Sequence, residues 1–138
     1  MNNLIAFDPG GHTGLVKYNR RIQDITYHTS IPDEYKIIYL ELNGIDNENT
    51  TILIENVHGA LRNRDKIEMC KKVGFIEGLC ATNGYHYKLQ SPTIKTGFMD
   101  ISRKWFKENH KIYMEHEIDA FAHILYYLSK REGIDKFR

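Results

Sequence analysis

Two short apolar runs stand out in the first half of the sequence. Leu4-Ile5-Ala6-Phe7 stops at Asp8-Pro9-Gly10-Gly11, and Thr51-Ile52-Leu53-Ile54 stops at Glu55. Unbroken runs of this length, bounded by a turn or a charge, predict strands buried on both faces. Thr13–Tyr18 and Ile22–Thr29 predict two more strands, with Asn19-Arg20 as the turn between them. Pro32 and Asp33 mark a helix start. Tyr35–Leu42 carries apolar residues at helical spacing, and Asn43-Gly44 ends that helix before a loop at Asp46–Asn49. Asp65–Thr82 has the same spacing at Ile67, Cys70, Val73, Ile76, Leu79 and Cys80, and closes at Asn83-Gly84. Tyr85–Leu89 predicts a fifth strand. Ser91-Pro92 is a cap and first residue for a short helix, Asp100 opens another as far as Asn109, and Ile118–Leu128 is the last.

The order βββαβαβαα predicts an α/β fold, a mixed five-stranded sheet with helices on its faces. Connection rules place the first and fourth strands side by side at its centre. Asp8 and Glu55 then meet at one edge of the sheet. At 138 residues the chain fits a single domain, 1–138. No apolar run approaches the roughly 20 residues of a membrane span. Met1-Asn2-Asn3-Leu4 has no basic stretch, so neither a secretory signal nor a membrane is expected. Cys70 and Cys80 fall about 15 Å apart on one helix, too far for a disulfide, which fits a reducing, cytoplasmic setting.

The composition is globular, 41% hydrophobic and 27% charged, with a net charge of +1. The charge is unevenly spread. Residues 22–58 hold one base against seven acids, and residues 59–111 hold eleven bases against five acids. A basic middle segment is either a face for a polyanion or an ordinary solvated surface. As DNA-contacting candidates it offers Arg62, Arg64, Lys66, Lys71, Lys72, Arg103, Lys104 and Lys107.

Three acids sit where charge is costly. Asp8 and Glu55 close apolar strands, and Asp119 interrupts the apolar helix Ile118, Ala120, Phe121, Ala122, Ile124, Leu125. Singly, Asp8 reads equally as a turn residue, Glu55 as a strand-end surface charge and Asp119 as the partner of a lysine. Together they favour a site for Mg²⁺ or Mn²⁺, which take oxygen ligands. Two such ions about 4 Å apart serve in-line phosphodiester hydrolysis. Gly10-Gly11-His12-Thr13-Gly14 invites a phosphate-loop reading, but it lacks the Lys-Ser/Thr of a Walker loop, and a hairpin turn explains it as well.

These segments resemble a family. Phe7-Asp8-Pro9-Gly10, Leu53-Ile54-Glu55 and His116-Glu117-Ile118-Asp119-Ala120-Phe121-Ala122 are similar to the three active-site segments of RuvC-type Holliday-junction resolvases, which have the ribonuclease H-like fold. Pro92-Thr93-Ile94-Lys95 and Lys72-Val73-Gly74-Phe75-Ile76-Glu77-Gly78 resemble two further segments in the same order, and the compact length looks most like bacteriophage-type members. The resemblance implies metal-binding roles for Asp8, Glu55, His116 and Asp119, two Mg²⁺ ions (or Mn²⁺) per site, and a Lys95 that touches the scissile phosphate. It implies a homodimer that nicks branched DNA at four-way junctions, in the bacterial host's cytoplasm if phage-encoded. In the loop after the second carboxylate the family often carries an aromatic residue; here His58 or Leu61 stands in its place. Two alternatives stay open: a ribonuclease H-like nuclease of looser preference for forks, flaps or RNA–DNA hybrids, and a junction-binding protein that does not cleave. On the last helix both Glu115 and His116 share a face with Asp119, so either could be the fourth ligand, while Glu117 should point elsewhere and be dispensable.

Overall fold

β1 (Asn3–Asp8) lies at the centre of one five-stranded sheet of order β3-β2-β1-β4-β5. It runs antiparallel to β2 (Thr13–Asn19) and parallel to β4 (Thr50–Glu55). β3 (Asp24–Ile31) is the antiparallel edge beyond β2, and β5 (His86–Gln90) the parallel edge beyond β4. The computed structural model describes residues 2–32, 35–56, 64–109 and 112–132, without the side chains of 64, 65, 131 and 132.

The helices divide between the two faces. α1 (Tyr35–Leu42) and α2 (Arg64–Asn83) pack Ile38, Leu42, Val73, Ile76 and Cys80 against Ile5, Phe7, Leu15, Ile52 and Ile54. A 3-10 helix (Pro92–Phe98), α3 (Met99–Asn109) and α4 (Glu115–Glu132) cover Leu4, Ala6, Val16 and Leu53 on the other face. β1 and β4 are therefore enclosed on both sides, which is why their sequences read as unbroken apolar runs. Each fully buried Leu, Ile or Phe contributes about 1.5–3 kcal/mol. No helix among the described residues is long and apolar enough to cross a membrane.

Two element starts differ from the sequence expectation by more than one residue, and side chains explain both. β3 begins at Asp24 rather than Ile22. Asn19 Oδ1 accepts the backbone N–H groups of Arg21 and Ile22 at 2.9 and 3.1 Å, holding the turn open until Gln23, which has φ 56°. α4 begins at Glu115, three residues before Ile118. Its first turn is closed by Glu117, whose Oε2 accepts Met114 N–H at 2.8 Å while its own N–H donates to Met114 O at 3.0 Å.

Candidate active site

Parallel pairing of β1 and β4 sets Phe7 opposite Ile54, so the next residues, Asp8 and Glu55, leave the sheet together at its carboxyl edge. Side chains alternate along a strand. Leu4 and Ala6 face α4, and Asp8 follows them in phase; Leu53 faces α4, and Glu55 follows it. Both carboxylates, 3% and 4% exposed, thus point to the helix that carries His116 and Asp119.

One ligand atom each from Asp8, His116 and Asp119 lies within 4.8 Å of the other two. His116 Nδ1 is 3.2 Å from Asp8 Oδ2. Lys95, carried by the 3-10 helix, places Nζ 2.6 Å from Glu55 Oε1 and 3.1 Å from Asp119 Oδ2. Asp119 is thus the partner of a lysine and a member of the carboxylate cluster at once. Burial, a hydrogen bond with Glu55 and the charges of Glu55 and Asp119 push the Asp8 carboxyl from 3.8 up to about 10. Burial works the same way on Glu55, but hydrogen bonds from His123, Asp8 and Lys95 override it and hold Glu55 well below the ordinary range. Burial opposes charge on Lys95 too, yet its hydrogen bond with Glu55 and the neighbouring carboxylates keep its pKa raised.

One proton held at Asp8 and one ammonium do not offset three carboxyl groups. The remaining negative charge and the oxygen-rich donor set suit a hard divalent cation. Asp8, His116 and Asp119 are the described residues that could hold one such ion. Glu55 sits beside them, engaged by Lys95 and His123.

The other sequence candidates scatter. Glu115 turns outward and forms a two-pronged pair with Arg103 at 2.7 and 2.8 Å, which lowers the Glu115 pKa. Lys71 pairs with Glu68 at 3.3 Å and Lys104 with Glu108 at 3.9 Å; Lys107 is exposed and Lys66 half-buried. His58 and Arg62 lie outside the described residues, as does the side chain of Arg64. Lys72 requires correction as a DNA contact. It is 2% exposed and its Nζ donates to Gly10 O, so it ties α2 to the loop after Asp8 instead of meeting a phosphate. The remaining basic candidates sit on α2 and α3, which pack on opposite faces of the sheet and do not form one basic face.

Glu117 is a second correction. It is 4% exposed, pairs with His28 Nδ1, accepts Ser30 Oγ at 2.9 Å, and caps α4. It points away from the metal cluster but bolts β3 to the turn that carries His116. Sequence reasoning also missed His123 and Gln90. The available signal was spacing: His123 is four residues after Asp119 and shares its helix face.

The glycine-rich segment is the β1–β2 hairpin, with β2 following directly and no helix at its end. Gly14 has a specific duty, because a Cβ there would come within 2.0 Å of His116 O and 2.3 Å of its carbonyl carbon. Neither backbone can yield. Gly14→Ala is expected to cost about 2 kcal/mol or more in denaturant unfolding and to displace the start of α4. An unchanged midpoint would mean that the close approach is not needed.

The sheet order, the mixed pairing and the helices on both faces define a ribonuclease H-like α/β fold. Among solved structures the chain is similar to RuvC of Thermus thermophilus in complex with a Holliday junction substrate, with a TM-score of 0.75 at 12% identity over 96% of this chain and 97% of that one. It is also similar to a second T. thermophilus RuvC structure, with a TM-score of 0.62 at 12% identity over 95% and 96% of the two chains. No protein-family model and no curated protein sequence matches it.

Proposed function

We propose that this chain is a divalent-metal-dependent endonuclease that nicks branched DNA, acting on four-way junctions as a homodimer. The observation that carries this is the convergence of Asp8, His116 and Asp119 within 4.8 Å, beside Glu55 and Lys95. The choice of substrate is supported by the fold it shares with a protein solved on a Holliday junction. Asp8, His116 and Asp119 would hold one Mg²⁺ or Mn²⁺ ion, and Glu55 with Asp8 a second. When bound, the ions supply nucleophile activation and charge stabilisation for direct hydrolysis of the phosphodiester.

The protein's own groups do the rest. Burial of Asp8 and Glu55 keeps bulk water from the carboxylate pair. Lys95 carries three donors on a flexible stem, so its ammonium can exchange the carboxylates for a scissile phosphate. Lys66, Lys71, Arg103, Lys104 and Lys107 are the described candidates for phosphate contacts that orient the duplex arms. Paired nicks across a junction need two sites related by a two-fold axis, which a homodimer supplies.

End-labelled four-way junction, fork, linear duplex and RNA–DNA hybrid, each with Mg²⁺ or EDTA, test this directly. The expected result is paired nicks in the four-way junction with Mg²⁺ and none in EDTA. Preferential cleavage of the fork or hybrid would move the substrate assignment. Binding without cleavage in either Mg²⁺ or Mn²⁺ would overturn the nuclease assignment.

A further inference from the structure

His123 lies one turn after Asp119 on α4 and is 1% exposed. Its Nε2 is 3.0 Å from Glu55 Oε1, and its Nδ1 is 2.8 Å from Gln90 Oε1. Gln90, 7% exposed, is the residue opposite Glu55 in the parallel β4–β5 ladder. A single imidazole from the helix thus spans the ends of two neighbouring strands. Its neighbours Ala122, Ile124 and Leu125 are apolar and buried, and a leucine would fill this layer without any need for hydrogen-bond partners. A buried ring with both nitrogens engaged specifies orientation at the expense of that simplicity.

We propose that His123, braced by Gln90, is a positioning residue that locks the Glu55 carboxylate in the orientation needed to receive a divalent ion beside Asp8. The inference rests on the metal-nuclease function proposed above. Glu55 Oε1 meets two donors, Lys95 and His123, so its other oxygen is committed to neither of them. The two donors differ in kind. Lys95 is flexible, 18% exposed in its side chain, and also engages Asp119. If its ammonium turns to a phosphate and Asp8 gives up the proton it holds toward Glu55 to receive an ion, the buried His123 is the anchor that remains. Without that anchor, nothing among these contacts would fix the orientation of the carboxylate.

Gln90 makes the anchor dependable. A side-chain amide offers an acceptor and a donor at nearly the same place. Gln90 Oε1 faces Nδ1 as placed, and the same amide turned over offers its N–H₂ to a bare Nδ1, the neutral tautomer that leaves Nε2–H to donate to Glu55. Partners that orient a metal-binding carboxylate or histidine typically matter about 10–100-fold in metal affinity or activity.

Calorimetric titration of the full chain with Mn²⁺ reads this without relying on turnover. Wild type, His123→Leu, His123→Gln and Gln90→Met are compared, with circular dichroism and melting curves reporting the fold. His123→Leu should weaken Mn²⁺ binding about 10–100-fold and raise by a similar factor the Mn²⁺ concentration giving half-maximal junction cleavage. Junction affinity without metal should stay unchanged. His123→Gln, whose amide nitrogen can stand near the Nε2 position, should recover most of the loss. Gln90→Met should weaken Mn²⁺ binding in the same direction by less, and it carries the test if His123→Leu does not fold. Wild-type Mn²⁺ affinity in folded His123→Leu or in Gln90→Met overturns the assignment. Mn²⁺ binding that depends on His123, with no cleavage of branched DNA by wild type, would sink the proposed function and leave the positioning role standing. A wild-type chain that binds no Mn²⁺ sinks both.

Discussion

Asparagine in place of Asp8, or of Asp119, is expected to lower junction cleavage by about three orders of magnitude or more while junction affinity holds. Asparagine keeps the volume and one oxygen of each side chain but removes the charge that would face the cation. The proposed duplex contacts of Lys66, Lys71, Arg103, Lys104 and Lys107 lie outside the carboxylate cluster, so DNA binding should survive. The two substitutions separate in stability. With its pKa pushed up to about 10, the metal-free Asp8 carboxyl is protonated at neutral pH. A carboxyl whose folded pKa exceeds its unfolded one loses stability as pH rises past the unfolded value, because the folded state retains the proton. Asp8→Asn removes that penalty and should melt at or above wild type at neutral pH without metal. Asp119→Asn loses an ion pair with Lys95 at 3.1 Å and should melt no higher than wild type. Undiminished cleavage by either variant would remove the residue from the machinery.

The other large effect is structural. Glu117→Ala is expected to destabilise the fold by about 3 kcal/mol, read by urea unfolding, because it removes a buried carboxylate that several part-buried bonds share. His28, Ser30 and the Met114 N–H all lose their acceptor, and α4 loses its cap. His116 is the preceding residue, so cleavage should fall in whatever fraction remains folded. Glu117→Gln keeps an acceptor for Ser30 or Met114 and should lose less. A stability change below about 0.5 kcal/mol, the scale of ordinary surface substitutions, would show that this bolt is not needed.

Much of the architecture was legible because its physics is local or periodic. β1 and β4 are covered on both faces, so Leu4–Phe7 and Thr51–Ile54 are continuous apolar runs, and the parallel pairing of two such strands brings Asp8 and Glu55 to one edge. Helical spacing then puts His116 and Asp119 on a common face. The misses have a different origin. Hydrophobic periodicity does not register side chains that bond to backbone, so the captures by Asn19 and Glu117 shifted the starts of β3 and α4. Lys72 was read by its charge, although it lies four residues before Ile76 on the buried side of α2, and spacing alone could have flagged it. Glu117 could not have been found that way, since His28 and Ser30 are far away in sequence and approach it only through the fold.

Anomalous scattering of Mn²⁺ in crystals of the chain grown at saturating Mn²⁺ tests the metal site most directly. The expected result is a peak ligated by Asp8, His116 and Asp119. No peak at that cluster, or an ion held elsewhere while Lys95 still bridges Glu55 and Asp119, would contradict it.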